Sequence, residues 1–198
     1  MTKIALASIG GGILLGYFFL QPIHLELLGT LVTIALWILL LGIGLDLGRT
    51  SGLMARIKGL GLHCLCVPMA VAAGSIAGAA AAALLMGLTL REGAAVGAGF
   101  GWYSLSAVII SQSYDVSLGA VAFLTNVFRE VLAIIIIPVV AARIGHLASV
   151  APGGATTMDV TLPLVAKSTT KEMTMIAFVS GIVLSALVPI LVPILLPI

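Results

Sequence analysis

Charge is what this sequence has least of: nine Lys and Arg and seven Asp and Glu among 198 residues, 8% in all. A soluble globular domain carries about 25% charged residues, so that class is excluded. Cysteine is nearly as scarce. Two thiols, Cys64 and Cys66, are too few for a disulfide scaffold, and a two-residue spacing sets them on different helix faces. His63 beside them invites a metal reading, but two Cys and one His without a partner cluster make a poor site. They read as buried structural thiols, and neither metal nor cofactor is expected. Aromatics reach only 6%, no basic cluster interleaves with them, and the net charge is +2, so nucleic acid is not an expected partner. No polar stretch is long enough for a soluble domain. Any chemistry therefore lies within a membrane.

What is abundant is apolar: 61% hydrophobic residues, 23 glycines and a mean hydropathy of +1.29. The chain reads as one all-α integral membrane domain over 1–198, with the lipid bilayer as its surroundings. At about 20 residues per span it holds at most about seven or eight crossings. Residues 4–20 form a first span, and Lys3 ahead of them resembles a signal peptide without a cleavage site. Residues 27–47 form a second, followed by a basic loop with Arg49, Arg56 and Lys58. Residues 60–86 form a third, where Gly74 and Gly78 suggest close helix packing. Residues 118–142 and 173–197 are the remaining clear spans.

Two segments differ in kind. Residues 94–112 alternate Gly97, Gly99 and Gly101 before Trp102, Tyr103, Ser104 and Ser106; residues 152–166 hold two glycines, two prolines, three threonines and Asp159. Unsatisfied backbone groups cost several kcal/mol in hydrocarbon, so broken backbone survives only where protein or a watery cavity lines it. Both segments are expected to be discontinuous. Ala122-Phe123 with Ala177-Phe178, and Pro138 with Pro193, recur at one offset, so the second half reads as two copies of a broken segment followed by a span. If both segments cross, there are seven spans and Arg91 and Arg143 lie outside. If both are re-entrant, there are five spans, only Arg91 lies outside, and the copies are inverted. The second arrangement fits the positive-inside rule better. Both place the C-terminus outside.

The chemistry concentrates on residues 118–142 and on Asp159. Asn126 and Glu130 share a helix face, as do Thr125 and Arg129. Glu130 lies about 12 residues, or roughly 18 Å, from either helix end, at mid-bilayer depth. The plainer alternative is that Glu130 neutralises Arg129 or another buried group and only locks helices together, at a central-charge cost of about 3 kcal/mol. Asp159 has its own: a cap on a half-helix, with Thr156 or Thr157 serving in its place. With both carboxylates and Arg129 ionised the three groups sum to −1, which attracts a small cation, and a titrating carboxylate would also carry a proton. Trp102 and Tyr103 read as lining the solute path. Glu26, Glu92 and Asp115 read as solvated loop residues, and Asp46 as interfacial.

Three stretches together, GFGWYSLSAVI at 99–109, FLTNVFREVLAIIIIPVV at 123–140 and GGATTMDVTLPLV at 153–165, resemble the lysine exporter family of the LysO type over nearly the whole chain. The resemblance implies a bacterial inner-membrane exporter of L-lysine and close analogues such as thialysine. It places that family's paired intramembrane acidic residues on Glu130 and Asp159. Longer family members carry about three further N-terminal spans. This implies a small membrane partner, a homo-oligomer, or loss of that region. Expelling a +1 solute against an interior-negative potential costs about 2.3 kcal/mol per 100 mV, and an entering proton cancels that term. A sodium/proton antiporter of similar broken-helix fold is the first rival. An intramembrane enzyme, using Asp46 with Asp159 or Ser104 with His63, is a weaker one, and a passive membrane subunit is a third.

Overall fold

A computed structural model of the protein describes residues 63–197 continuously, and with them isolated positions between 11 and 45, all helical. Apart from those positions, the expected first two spans, the loop of Arg49, Arg56 and Lys58, and the side chains of Lys3, Glu26, Asp46, His63 and Cys64 lie outside the described residues. Among the described residues there is no strand. The element order is α1 (His63–Leu85), α2 (Leu90–Gly97), α3 (Tyr103–Ser113), α4 (Val116–Arg143), two 3-10 turns (Ala148–Val150 and Gly154–Met158), α5 (Leu162–Ser168) and α6 (Lys171–Leu195).

Three of these, α1, α4 and α6, are long and apolar enough to cross a membrane. Their 23, 28 and 25 residues correspond to about 35, 42 and 38 Å, against a hydrocarbon core of about 30 Å. The others are too short. Large apolar side chains such as Val116 (71% exposed), Phe128 (62%) and Ile194 (70%) point outward, a surface that suits lipid and would aggregate in water. α4 and α6 start at polar caps. Asp115 accepts the Leu118 amide at 2.7 Å, and Thr170 accepts that of Met173 at 3.3 Å. α2 opens on a reciprocal capping box: Thr89 Oγ1 accepts the Glu92 amide while the Thr89 amide donates to Glu92 Oε2 at 2.7 Å. Glu92 thus belongs to a helix start and not to a loop.

α2 and α3 form a hairpin around a break at residues 98–102. The Tyr114 hydroxyl, just past α3, donates to Glu92 Oε1 at 3.0 Å, so the two outer ends of the hairpin meet. α6 is the most buried long helix. Its Leu184, Val188 and Val192 are fully enclosed by α1, α2, α3 and the 154–158 turn, against Phe100, Ile110 and Ala122, while its Ala177 is buried in a second cluster with Ala133, Ile137 and Val165.

Two expectations need correction. A Cβ on Gly74 or Gly78 would meet no atom among the described residues, whereas Gly93 and Gly97 of α2 sit against Ser75, Ala79 and Ala83 of α1. Among the described residues the close approach therefore lies one residue round the helix from the predicted face, with the glycines on the partner. Cys66 is exposed and not buried, which an apolar thiol tolerates on a lipid-facing helix surface.

Candidate functional site

The site is built where the chain abandons regular helix. Leaving α2, it passes through Phe100 (φ +48°) and Gly101 (φ +100°). A left-handed backbone at a bulky residue costs about 1–2 kcal/mol, yet Phe100 is fully buried there. That conformation turns its carbonyl outward, where it accepts the Ala155 amide of the second irregular segment at 2.8 Å. The amide of Gly101 is taken by Asn126 Oδ1 of α4 at 2.7 Å, while Asn126 Nδ2 donates to Ala122 O (2.9 Å) and Val96 O (3.3 Å). Asn126 is 2% exposed, with both ends of its amide occupied. It holds the first break closed.

The second break, residues 151–161, is held by Arg129 of the same helix. Its Nε donates to Pro152 O at 3.1 Å, and its two terminal nitrogens to Ala151 O (3.0 Å) and the Ser75 hydroxyl of α1 (2.6 Å). All three acceptors are neutral. The threonines finish the work locally, Thr156 Oγ1 donating to Gly153 O at 2.8 Å and Thr157 Oγ1 to Gly154 O at 2.7 Å. Gly154 has φ +60°, and a Cβ on it would run into the Phe100 carbonyl.

Between the two breaks lies a cavity of about 150 Å³, lined by residues 101–104, Glu130, Ala155, Thr156, residues 158–160 and Ser185. Glu130, one helical turn beyond Asn126, enters from α4. Asp159 enters from the turn after Met158; its Oδ1 accepts the neighbouring Val160 amide at 2.6 Å. Tyr103 stands edge-on to Phe123, ring centroids 5.4 Å apart, with Trp102 and Ser104 beside it. Among the described residues no Lys, Arg or His lines the cavity. Two carboxylates with no cation between them make a place for a positive group. A dry cavity of about this volume admits a benzene-sized molecule, so an ammonium with part of its carbon chain fits.

Of the nine residues singled out from the sequence, six line this cavity: Trp102, Tyr103, Ser104, Glu130, Thr156 and Asp159. Asn126, Arg129 and Thr157 do not; they bond the backbone around it. Arg129 donates to carbonyls and a hydroxyl and not to Glu130, so the two are not the locking pair considered above. Nor does Asp159 cap α5, whose N-cap Thr161 has no side-chain cap bond. Met158 and Ser185 also line the cavity and carry no composition signal. Ser185 is found only by carrying the repeat offset from Glu130 into the last helix.

Three long apolar helices, two of which line this cavity, define a multi-pass membrane protein. The chain belongs to the lysine exporter LysO family, whose profile matches residues 6–196, a family of transporters and not of enzymes. It is similar to the lysine exporter LysO of Escherichia coli, 35% identical over 160 residues, covering 80% of this chain and 52% of that protein. It is also similar to a Haemophilus influenzae protein provisionally described as a lysine exporter, 31% identical over 181 residues and covering 90% of each chain. The chain thus spans about half the length of the first relative and nine-tenths of the second. No solved structure matches it.

Proposed function

We propose that this protein exports L-lysine and close cationic analogues across the bacterial inner membrane in exchange for protons, with Glu130 and Asp159 as the solute- and proton-binding groups. The observation that carries the reading is the convergence of two carboxylates from separate elements on one cavity, with no cation among its described lining residues. Membership of the lysine exporter family and the names of its relatives supply the solute. The neutral acceptors around Arg129 leave its charge outside the cavity, so the site stands at −2 with both carboxylates ionised. One solute charge, or one proton in its place, brings it to −1, so the site carries the same charge in either half of the exchange.

In this reading residues 1–198 act as one transport domain. Residues 94–112 and 152–166 are re-entrant, five helices cross fully, the two copies are inverted and the C-terminus lies outside. The bond from Tyr114 to Glu92 supports the first hairpin, since both its ends then face the same side. A small membrane partner or self-association completes the assembly where the longer relative has additional chain.

The test is lysine-driven proton movement in proteoliposomes holding this chain, with Glu130→Gln and Asp159→Asn alongside. The wild type should exchange, and each variant should lose at least about tenfold, because a charge-assisted bond of about 1.5–3 kcal/mol disappears. Lysine efflux indifferent to a collapsed pH gradient would sink proton coupling. Exchange driven by sodium would hand the site to the antiporter rival.

A further inference from the structure

The two irregular segments and the helices after them match at a constant offset of 55 positions. α3 ends at Ser113 and α5 at Ser168; α4 begins at Val116 and α6 at Lys171. The caps Asp115 and Thr170 are equivalent, and each accepts the amide three residues on. Burial repeats as well. Ser106 and Thr161, Ile110 and Val165, Ala122 and Ala177, and Ile137 and Val192 are pairs of fully buried residues. Most telling, the backbone bond between the two breaks joins equivalent residues, Ala155 N to Phe100 O. Equivalent residues touch only beside the axis that relates their copies. The cavity lies at that point.

Its lining follows the same rule. Ser104 is the equivalent of Asp159, and Ser185 of Glu130; all four face the cavity. Gly101 with Thr156 and Tyr103 with Met158 are two further lining pairs. Each copy therefore presents one carboxylate and one serine, at exchanged positions.

We propose that the cavity is a two-fold site in which Ser104 and Ser185 face the same solute as Asp159 and Glu130 and supply the hydrogen-bond donors that the carboxylates lack. This rests on the reading of the cavity as the solute site. An ionised carboxylate only accepts, whereas a hydroxyl donates as well. A solute with ammonium groups and a carboxylate needs both kinds of contact. Among the described residues the Ser185 hydroxyl has the Met158 sulfur at 3.4 Å as its one partner, a weak acceptor that a ligand readily replaces. The favoured substrate class is thus a cationic amino acid and not a simple diamine.

The experiment transposes charge across the axis in the purified full chain and measures lysine binding by calorimetry. Asp159→Ser should weaken binding by about tenfold or more. Adding Ser104→Asp to it should recover most of that loss, and Ser104 is exposed enough to accept the carboxylate. Glu130→Ser with Ser185→Glu is the matching pair. A folded Asp159→Ser, Ser104→Asp protein that binds no better than Asp159→Ser overturns the two-fold site while leaving the lysine reading intact. A folded Asp159→Ser protein that binds lysine like the wild type sinks both. Should the transposed proteins not fold, Ser185→Ala decides: it should weaken lysine binding severalfold while leaving pentane-1,5-diamine, which lacks the carboxylate, unaffected. Equal weakening of both ligands overturns the proposal.

Discussion

Asn126→Leu is the substitution whose cost can be worked out group by group. Leucine roughly keeps the volume and removes the amide. The Ala122 carbonyl remains inside the α4 ladder, and the Val96 carbonyl keeps the Gly99 amide at 3.2 Å. One group is left with nothing, the Gly101 amide, whose only bond here is to Asn126 Oδ1 at 2.7 Å. A buried donor without a partner costs about 1–3 kcal/mol, and the lost Nδ2 bonds add about 0.5–1 kcal/mol. Extra apolar burial by leucine offsets part of this, so about 2 kcal/mol of destabilisation is expected. An ordinary interhelical side-chain bond in a membrane protein is worth only about 0.6 kcal/mol, because the unfolded chain in lipid finds other partners. The Gly101 amide differs in sitting at a left-handed turn that has no helical acceptor. Reversible unfolding in mixed micelles, followed by helical circular dichroism, separates the two magnitudes. A loss of about 0.6 kcal/mol or less would refute the reasoning and mean that water in the cavity satisfies the amide.

Gly154→Ala should cost about 2–4 kcal/mol in the same assay, from left-handed strain plus collision with the Phe100 carbonyl, whereas Gly74→Ala, facing open space in mid-helix, should be neutral or slightly stabilising. Equal effects of the two would refute the close crossing of the breaks. The Glu92 carboxyl is held below its ordinary value of 4.5 by the Thr89 amide, then by the Thr89 hydroxyl and Tyr114. Its folded value being the lower one, the stabilisation is fully present above the unfolded value and is lost as pH falls through the folded one. The stability advantage of wild type over Glu92→Gln should therefore begin to shrink as pH falls past about 4.5 and be gone once it is below the lower, folded value, as thermal unfolding at stepped pH would show. The effect is small because the group is exposed and screened, and an advantage independent of pH would refute it.

Much of the architecture was legible because hydropathy decides it. The spans expected at 60–86, 118–142 and 173–197 match α1, α4 and α6 to within three residues at each end. Residues 94–112 and 152–166 stood out for the same physical reason, that glycine, threonine and proline gather where backbone leaves a regular helix. The start of α2 was missed although Thr89-x-x-Glu92 is a capping box, because an eight-residue helix carries too little hydropathy to be noticed. At the site, Glu130 and Asp159 were legible because a carboxylate among apolar residues is costly. The partners of Arg129 were not, since a backbone carbonyl has no letter in a sequence. Ser185 was hidden because serine inside a span is common, and only its equivalence to Glu130 distinguishes it.

In a chain with so few charges, those at membrane depth must each be balanced by something. Arg129 and the second break require each other. Regular helix over residues 151–161 would consume the carbonyls of Ala151 and Pro152 internally and leave the guanidinium with Ser75 alone. Without the guanidinium, those carbonyls would be left unbonded at membrane depth, at a cost of about 1–3 kcal/mol each. Successive side chains on a helix diverge by about 100°, so Arg129 reaches the outer side of the break while Glu130 enters the cavity. Arg129, the one cation near the site among the described residues, is thereby committed to two backbone carbonyls and the Ser75 hydroxyl, and neither Glu130 nor Asp159 receives it. On the reading proposed above, this is how the protein keeps an anionic site at membrane depth: the charge missing from its lining is the one that the solute or the proton brings.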